Sequence, residues 1–140
     1  MERLSRLVTK TNAKIVVISD WRYRSETYVE YCRKNNQYAI QRAGWLYLEE
    51  ALGREAISIY DVTPWDQKLR TRTEELRAYL DSNPQIHNYV ILDDCFQDDY
   101  SSDSDIRAHL VQTDALKGLQ DSDLVRVCEI MNRLHLHKNI

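Results

Sequence analysis

Lys14-Ile15-Val16-Val17-Ile18-Ser19 is an apolar, largely β-branched run that ends in a small hydroxyl. A run of this length without polar interruption predicts a strand buried on both faces. The pattern returns at Ala56-Ile57-Ser58-Ile59-Tyr60 and at Tyr89-Val90-Ile91-Leu92, the latter ending in Asp93-Asp94. Ala108 to Gln112 gives a short fourth strand. Segments of helical spacing separate these runs. Leu4, Leu7 and Val8 mark a helix in the first ten residues. Ser25 is placed to cap a helix that turns Tyr28, Val29 and Cys32 inward. Trp45, Leu46 and Leu48 belong to another, ending near Gly53. The clearest helix spans 67–82, with Leu69, Leu76, Tyr79 and Leu80 on one face and Asn83-Pro84 as its stop. Asp121 caps a last helix with Leu124, Val127, Cys128, Met131 and Leu134 inward. This alternation predicts an α/β fold, a three-layer Rossmann-like sandwich with a mainly parallel sheet. In such sheets ligands bind outside the carboxyl ends of the strands. The strand ends are therefore where a site is sought.

The 140 residues suffice for one domain, 1–140, with its own core. Hydrophobic residues at 43% and charged residues at 29% exclude a disordered chain. A net charge of −3 argues against a protein that grips nucleic acid mainly through its phosphates, although a local basic site is compatible with it. Cys32, Cys95 and Cys128 lie far apart with no C-x-x-C, which reads as free thiols rather than disulfides or zinc ligands. No apolar run approaches the ~20 residues of a membrane span, and Met1 to Lys10 has no apolar signal core. A reducing, cytoplasmic setting is the expectation.

Three features sit at or near strand ends. Ser19, followed by Asp20-Trp21-Arg22, offers a hydroxyl to a phosphate oxygen; the structural alternative is a simple cap or turn. Asp93-Asp94 places two carboxylates after four apolar residues, which is costly near a core without neutralisation. A hard cation such as Mg²⁺ would neutralise them through oxygen ligands; the alternative is a turn with solvated side chains. Arg70-Thr71-Arg72 puts arginines near the start of the 67–82 helix, where a guanidinium suits bidentate recognition of oxyanions. The alternative is an ordinary surface arginine. No G-x-x-x-x-G-K-[ST] is present, so Asp93-Asp94 is not the acidic strand end of a P-loop nucleotide hydrolase.

The order hydroxyl, cation, paired acids resembles motifs two, three and four of the haloacid-dehalogenase-like (HAD) hydrolases. The similarity is closer to one branch, the HAD domains associated with Swiss Army Knife RNA repair proteins. Lys14 to Arg22 resembles that branch's K-I-V-L-S-S-S-W-R strand, with Ile18-Ser19-Asp20 where the family shows several serines. Arg72 to Leu80 resembles its R-x-x-E-I-x-x-W-L helix, and Tyr89 to Asp94 its Y-V-I-L-D-D. Val111-Gln112-Thr113-Asp114 with Gly118-Leu119 resembles its V-Q-T-D…G-L-T segment, with Gln120 in place of threonine. The resemblance implies that Ser19 and Arg72 bind a transferring phosphate and that Asp93, with Asp94, ligates Mg²⁺. Arg22 and Asp114 match family positions and read as salt-bridging or loop-shaping residues.

The family's first motif, an apolar strand ending in D-x-D, is not found before Lys14. In the family its first aspartate attacks the phosphate and its second is the acid and base. Asp103-Ser104-Asp105 is a D-x-D, but it falls in the acidic stretch after Asp94 and reads as solvated loop. The missing strand would be central to the sheet, so its absence leaves unpaired edges. Three explanations stand: an N-terminally truncated chain, a degenerate non-catalytic relative, or a domain whose sheet is completed by a partner chain or a second copy. Two functions follow. One is a Mg²⁺-dependent phosphatase acting on a phosphorylated small molecule or nucleic acid end once a nucleophile is supplied. The other is a pseudoenzyme that binds phosphate or protein, associated with nucleic acid repair. A receiver-like signalling domain fails on motif order, since its acid pair lies near the first strand.

Overall fold

In a computed structural model, residues 1–18, 26–35, 38–64, 71–94, 100 and 103–138 are described, with backbone alone for 26–28, 38 and 133–138. The element order is α1 (Glu2–Thr11), β1 (Ile15–Val17), α2 (Glu26–Lys34), α3 (Tyr38–Arg54), β2 (Ile59–Val62), α4 (Arg72–Ser82), β3 (Ile91–Asp93), α5 (Ser104–Arg107), β4 (Leu110–Gln112) and α6 (Asp121–Lys138). The chain is α/β and every strand pairing is parallel. It divides into two compact units, Met1–Tyr79 and Leu80–Ile140.

The first unit is built on β1 and β2. Their register sets Ile15 opposite Ile59 and Val17 opposite Val62, with an irregularity that leaves Tyr60 out of the pairing. Val17, Trp45, Leu52, Ile57 and Ile59 form the core, and Leu4, Val8, Ile15, Leu48 and Val62 pack against it. Thus α1 and α3 cover the pair, α3 through Trp45, Leu48 and Leu52, whereas Leu46 is exposed. The second unit pairs β3 with β4, Ile91 opposite Leu110 and Asp93 opposite Gln112. Helix α6 packs against β4 and buries Val127 and Ile130. At the amino ends of these strands the Tyr89 and His109 rings stack, with centroids 3.9 Å apart.

Among the described residues the strands form two separate pairs, and β1 and β3 share no ladder. One expectation is corrected. The Lys14–Ser19 run was expected to be buried on both faces, yet only Val17 of β1 is buried and its neighbours are half-buried. A strand with a ladder on one side keeps part of its surface accessible.

The second strand is displaced as well: Ala56 to Tyr60 predicts it, and it begins at Ile59. Ala56 has φ 56°, in the left-handed region. The Ile57 amide donates to the Leu52 carbonyl at 2.9 Å and the Ala56 amide to that of Gly53 at 3.0 Å. These two bonds are a Schellman stop for α3. Ala56 and Ile57 therefore end the helix, with Ile57 dropping onto Leu52 in the core.

Candidate functional site

Helix α4 presents one candidate group. Thr71 caps it, its Oγ1 accepting the Glu74 amide at 3.1 Å. The spacing Thr71-x-x-Glu74 is that of a capping box. The cap makes Arg72 the first helical residue. A cation there opposes the helix dipole, so Arg72 is not placed for the helix's own sake. Its guanidinium instead donates to the Ile18 carbonyl, just beyond the carboxyl end of β1 and 54 positions away. Arg72 and the end of the Lys14–Ser19 run are thus brought together within one unit. Ser19, the residue after Ile18, lies outside the described residues, as do Asp20, Trp21, Arg22, Arg70 and Ser25.

A neighbouring pair was missed in the sequence. Asp61 sits in β2, and its Oδ2 accepts the hydroxyl of Tyr79 from α4 at 2.9 Å. Its Oδ1 accepts the Val62 amide at 2.9 Å. Tyr79 is buried, and burial together with the Asp61 carboxylate pushes its pKa well above the ordinary tyrosine value. The bond ties α4, and so Arg72, to the strand pair. Asp61 falls one residue beyond the expected Ala56–Tyr60 strand, inside the observed β2.

In the second unit, Asp93 and Asp94 are adjacent but differ in setting. Asp94 is exposed, while Asp93 is the last residue of β3 and only 7% exposed. The Asp93 carbonyl accepts the Thr113 amide at 2.9 Å. Its carboxylate Oδ2 accepts the hydroxyl of Tyr100 at 2.7 Å. Tyr100 is fully buried, at 0% exposure. No local pattern marks this partner, because seven positions separate the two residues. The carboxylate that looked too costly to bury is stabilised in part by a charge-assisted hydrogen bond.

Asp114 is a loop-former. Its Oδ1 accepts the Leu116 and Lys117 amides, each at 2.8 Å, and those bonds hold its pKa below the usual carboxylate value. The loop-shaping role expected of it is what its contacts show. Asp103-Ser104-Asp105 is a helix start rather than the expected solvated loop: Asp103 Oδ1 accepts the Asp105 and Ile106 amides, each at 3.1 Å, at the start of α5. A carboxylate spent on a cap of this kind is not the first-motif nucleophile. Cys32 is buried and Cys128 half-buried, both free thiols, and Cys95 lies outside the described residues.

Residues 1–124 match the family described as the HAD domain in Swiss Army Knife RNA repair proteins. The chain belongs to that family. No curated protein and no solved structure matches it. Family membership accounts for the order of the HAD motifs along the chain and for the parallel α/β architecture. Among the described residues, no helix is long and apolar enough to cross a membrane.

Proposed function

We propose that the chain is a HAD-type phosphate-handling domain in which Ser19 and Arg72 bind a phosphate monoester and Asp93 and Asp94 hold Mg²⁺. The observation that best supports this reading is the position of Arg72. A guanidinium at a helix N-terminus, directed to the end of an apolar strand, concentrates positive potential where an oxyanion is stabilised. The donor set suits the cation. Asp93 and Asp94 offer only oxygen, and Mg²⁺ is commonly held by one or two carboxylates with water and substrate phosphate completing its shell. Among the described residues no cluster of three or more His, Cys, Asp or Glu side chains is placed to hold a metal ion, so the remaining ligands would have to be water and substrate oxygens. When bound, the ion would supply positive charge at the Asp93–Asp94 strand end. Arg72 would hold and neutralise the phosphate oxygens, and Asp93 would fix the cation's position.

Hydrolysis on this reading needs a nucleophile from outside residues 1–140, carried on a strand ending in D-x-D and contributed by a partner chain or otherwise joined to this one. Without it the domain binds and does not turn over. The substrate class that fits the family is a terminal phosphate on a nucleic acid or a phosphorylated small molecule, handled in the cytoplasm. The chain's net charge of −3 suits recognition of an end rather than of a duplex.

The test is to measure thermal stability and p-nitrophenyl phosphate turnover side by side. The chain alone should show no turnover, yet orthophosphate with Mg²⁺ should raise its Tm. Arg72→Ala and Asp93→Asn should each abolish that rise. Fusion of an apolar strand ending in D-x-D to the amino terminus should confer turnover. A Tm indifferent to both ligands would leave only a protein-interaction role.

A non-catalytic reading has one observation in its favour. The D-x-D at Asp103 to Asp105 is committed to capping α5. If the fused chain also stays silent while phosphate still binds, the domain is a phosphate-binding pseudoenzyme.

A further inference from the structure

We propose that the outer face of α3 pairs with the same face of a second copy of the chain, the two helices antiparallel about a twofold axis near Leu46. The inference is independent of the phosphate reading above. Two observations carry it. The first is an apolar face that the fold leaves open. Helix α3 turns Trp45, Ala51 and Leu52 inward, all three buried. On the other side Ile40, Leu46 and Tyr47 are 72%, 50% and 66% exposed, and Ala39 and Ala43 beside them are exposed too. The spacings 39-43-46 and 40-43-47 set these side chains on one side of the helix. A helix that is apolar on both sides is normally covered on both. Two small alanines in the stripe let a second helix come close.

The second observation is the charge beside that stripe, and it names the occupant. Arg42 and Glu49 are both exposed and lie seven positions apart on one flank, because seven residues return nearly to the same side of a helix. A twofold contact requires a patch to complement itself, residue i meeting j and j meeting i. One flank with opposite charges at its two ends meets that condition when the helices run antiparallel. Arg42 of one copy then faces Glu49 of the other, the same pair recurs on the far side of the axis, and Leu46 meets Leu46 between them. An unrelated partner would not require this symmetry. The contact does not need an unengaged guanidinium, since its several N–H donors serve more than one acceptor. Towards the end of α3 the face turns polar, and Glu50 and Arg54 pair within the helix at 2.6 Å. The apolar contact is therefore short, and the dimer is weak, with a Kd roughly in the micromolar range.

The experiment is sedimentation velocity of the full chain from low to high micromolar concentration. Wild type should pass from monomer to dimer across that range. Leu46→Asp sets two carboxylates at the axis and should weaken dimerisation by about tenfold or more. Arg42→Glu and Glu49→Arg should each weaken self-association, yet an equimolar mixture of the two should form a heterodimer. The double variant Arg42→Glu/Glu49→Arg should dimerise as wild type does. Because all three positions are exposed, the Tm of each variant at a dilution where wild type is monomeric should stay near that of wild type. Wild type that stays monomeric at every concentration overturns the proposal, as does a dimer indifferent to Leu46→Asp. A dimer that Leu46→Asp breaks, but that neither the mixture nor the double variant restores, overturns the antiparallel pairing and the proposal with it.

Discussion

The Arg72 guanidinium holds the Ile18 carbonyl across 54 residues of chain, joining the start of α4 to the end of β1. This one contact gives Arg72 a structural task, and the proposed phosphate binding would give it a second, chemical one. Arg72→Ala should lower unfolding free energy by about 1.5–3 kcal/mol, the range for a hydrogen bond that involves a charged group. Arg72→Lys should recover part of that stability, because an ammonium still reaches a single carbonyl. It should not recover orthophosphate binding, for which the planar fork matters. Urea melts and phosphate-dependent Tm shifts on the same variants separate the two tasks. Full phosphate response in Arg72→Lys would show that charge alone suffices.

The Asp103 side chain is expected to matter for folding and not for phosphate. Asp103→Ala removes the acceptor for the Asp105 and Ile106 amides at the start of α5. Loss of such a cap costs about 1 kcal/mol. Ile106 is fully buried, so the cap also fixes a core side chain, and the loss should appear in a urea melt. The phosphate- and Mg²⁺-dependent rise in Tm should be kept. A variant of normal stability that loses the ligand response would reassign this D-x-D to the site.

Ala56 stands where a Schellman stop prefers glycine. Its φ of 56° lies in the left-handed region, which strains a side chain bearing Cβ. Ala56→Gly should therefore stabilise the chain by about 1 kcal/mol, relief of strain outweighing the added freedom of the unfolded chain. A chemical denaturation midpoint that falls would mean that unfolded-state entropy dominates.

These features divide by how local their cause is. The apolar runs at Ile15–Val17 and Ile91–Asp93, and the face of α4 bearing Leu76 and Tyr79, were legible because each signal lies within a few residues. The start of β2 was misread because alanine at 56 looks like strand continuation, and nothing local marks it as left-handed. At the candidate site, residue types at strand ends pointed to Arg72 and Asp93, but their partners were hidden. Ile18 offers a main-chain carbonyl, which no sequence pattern advertises. Tyr100 meets Asp93 from seven positions further along the chain. Asp61 lies just past the expected Ala56–Tyr60 strand, and nothing local links it to Tyr79. Types and order are local properties, whereas pairing across elements depends on how the chain packs.

The Tyr79–Asp61 bond gives a pH prediction with a definite sign. Burial, and then the adjacent Asp61 carboxylate, hold the Tyr79 phenol protonated beyond its ordinary range. In the unfolded chain the same phenol ionises near its usual pKa of about 10. Above that pH the unfolded state binds fewer protons than the folded one, so stability falls as pH rises. The contribution is complete below about pH 10 and is lost progressively above it. Tyr79→Phe should be less stable than wild type at pH 8 by about 1 kcal/mol, through loss of the hydroxyl bond to Asp61. The gap should narrow above pH 10, because the variant has no phenol there to ionise. Denaturant melts at pH 8 and pH 10.5 measure the gap directly, and absorbance at 295 nm should show one tyrosine that ionises only on unfolding. A gap that stays constant across that interval would mean that Tyr79 titrates alike in both states and that Asp61 does not hold its proton.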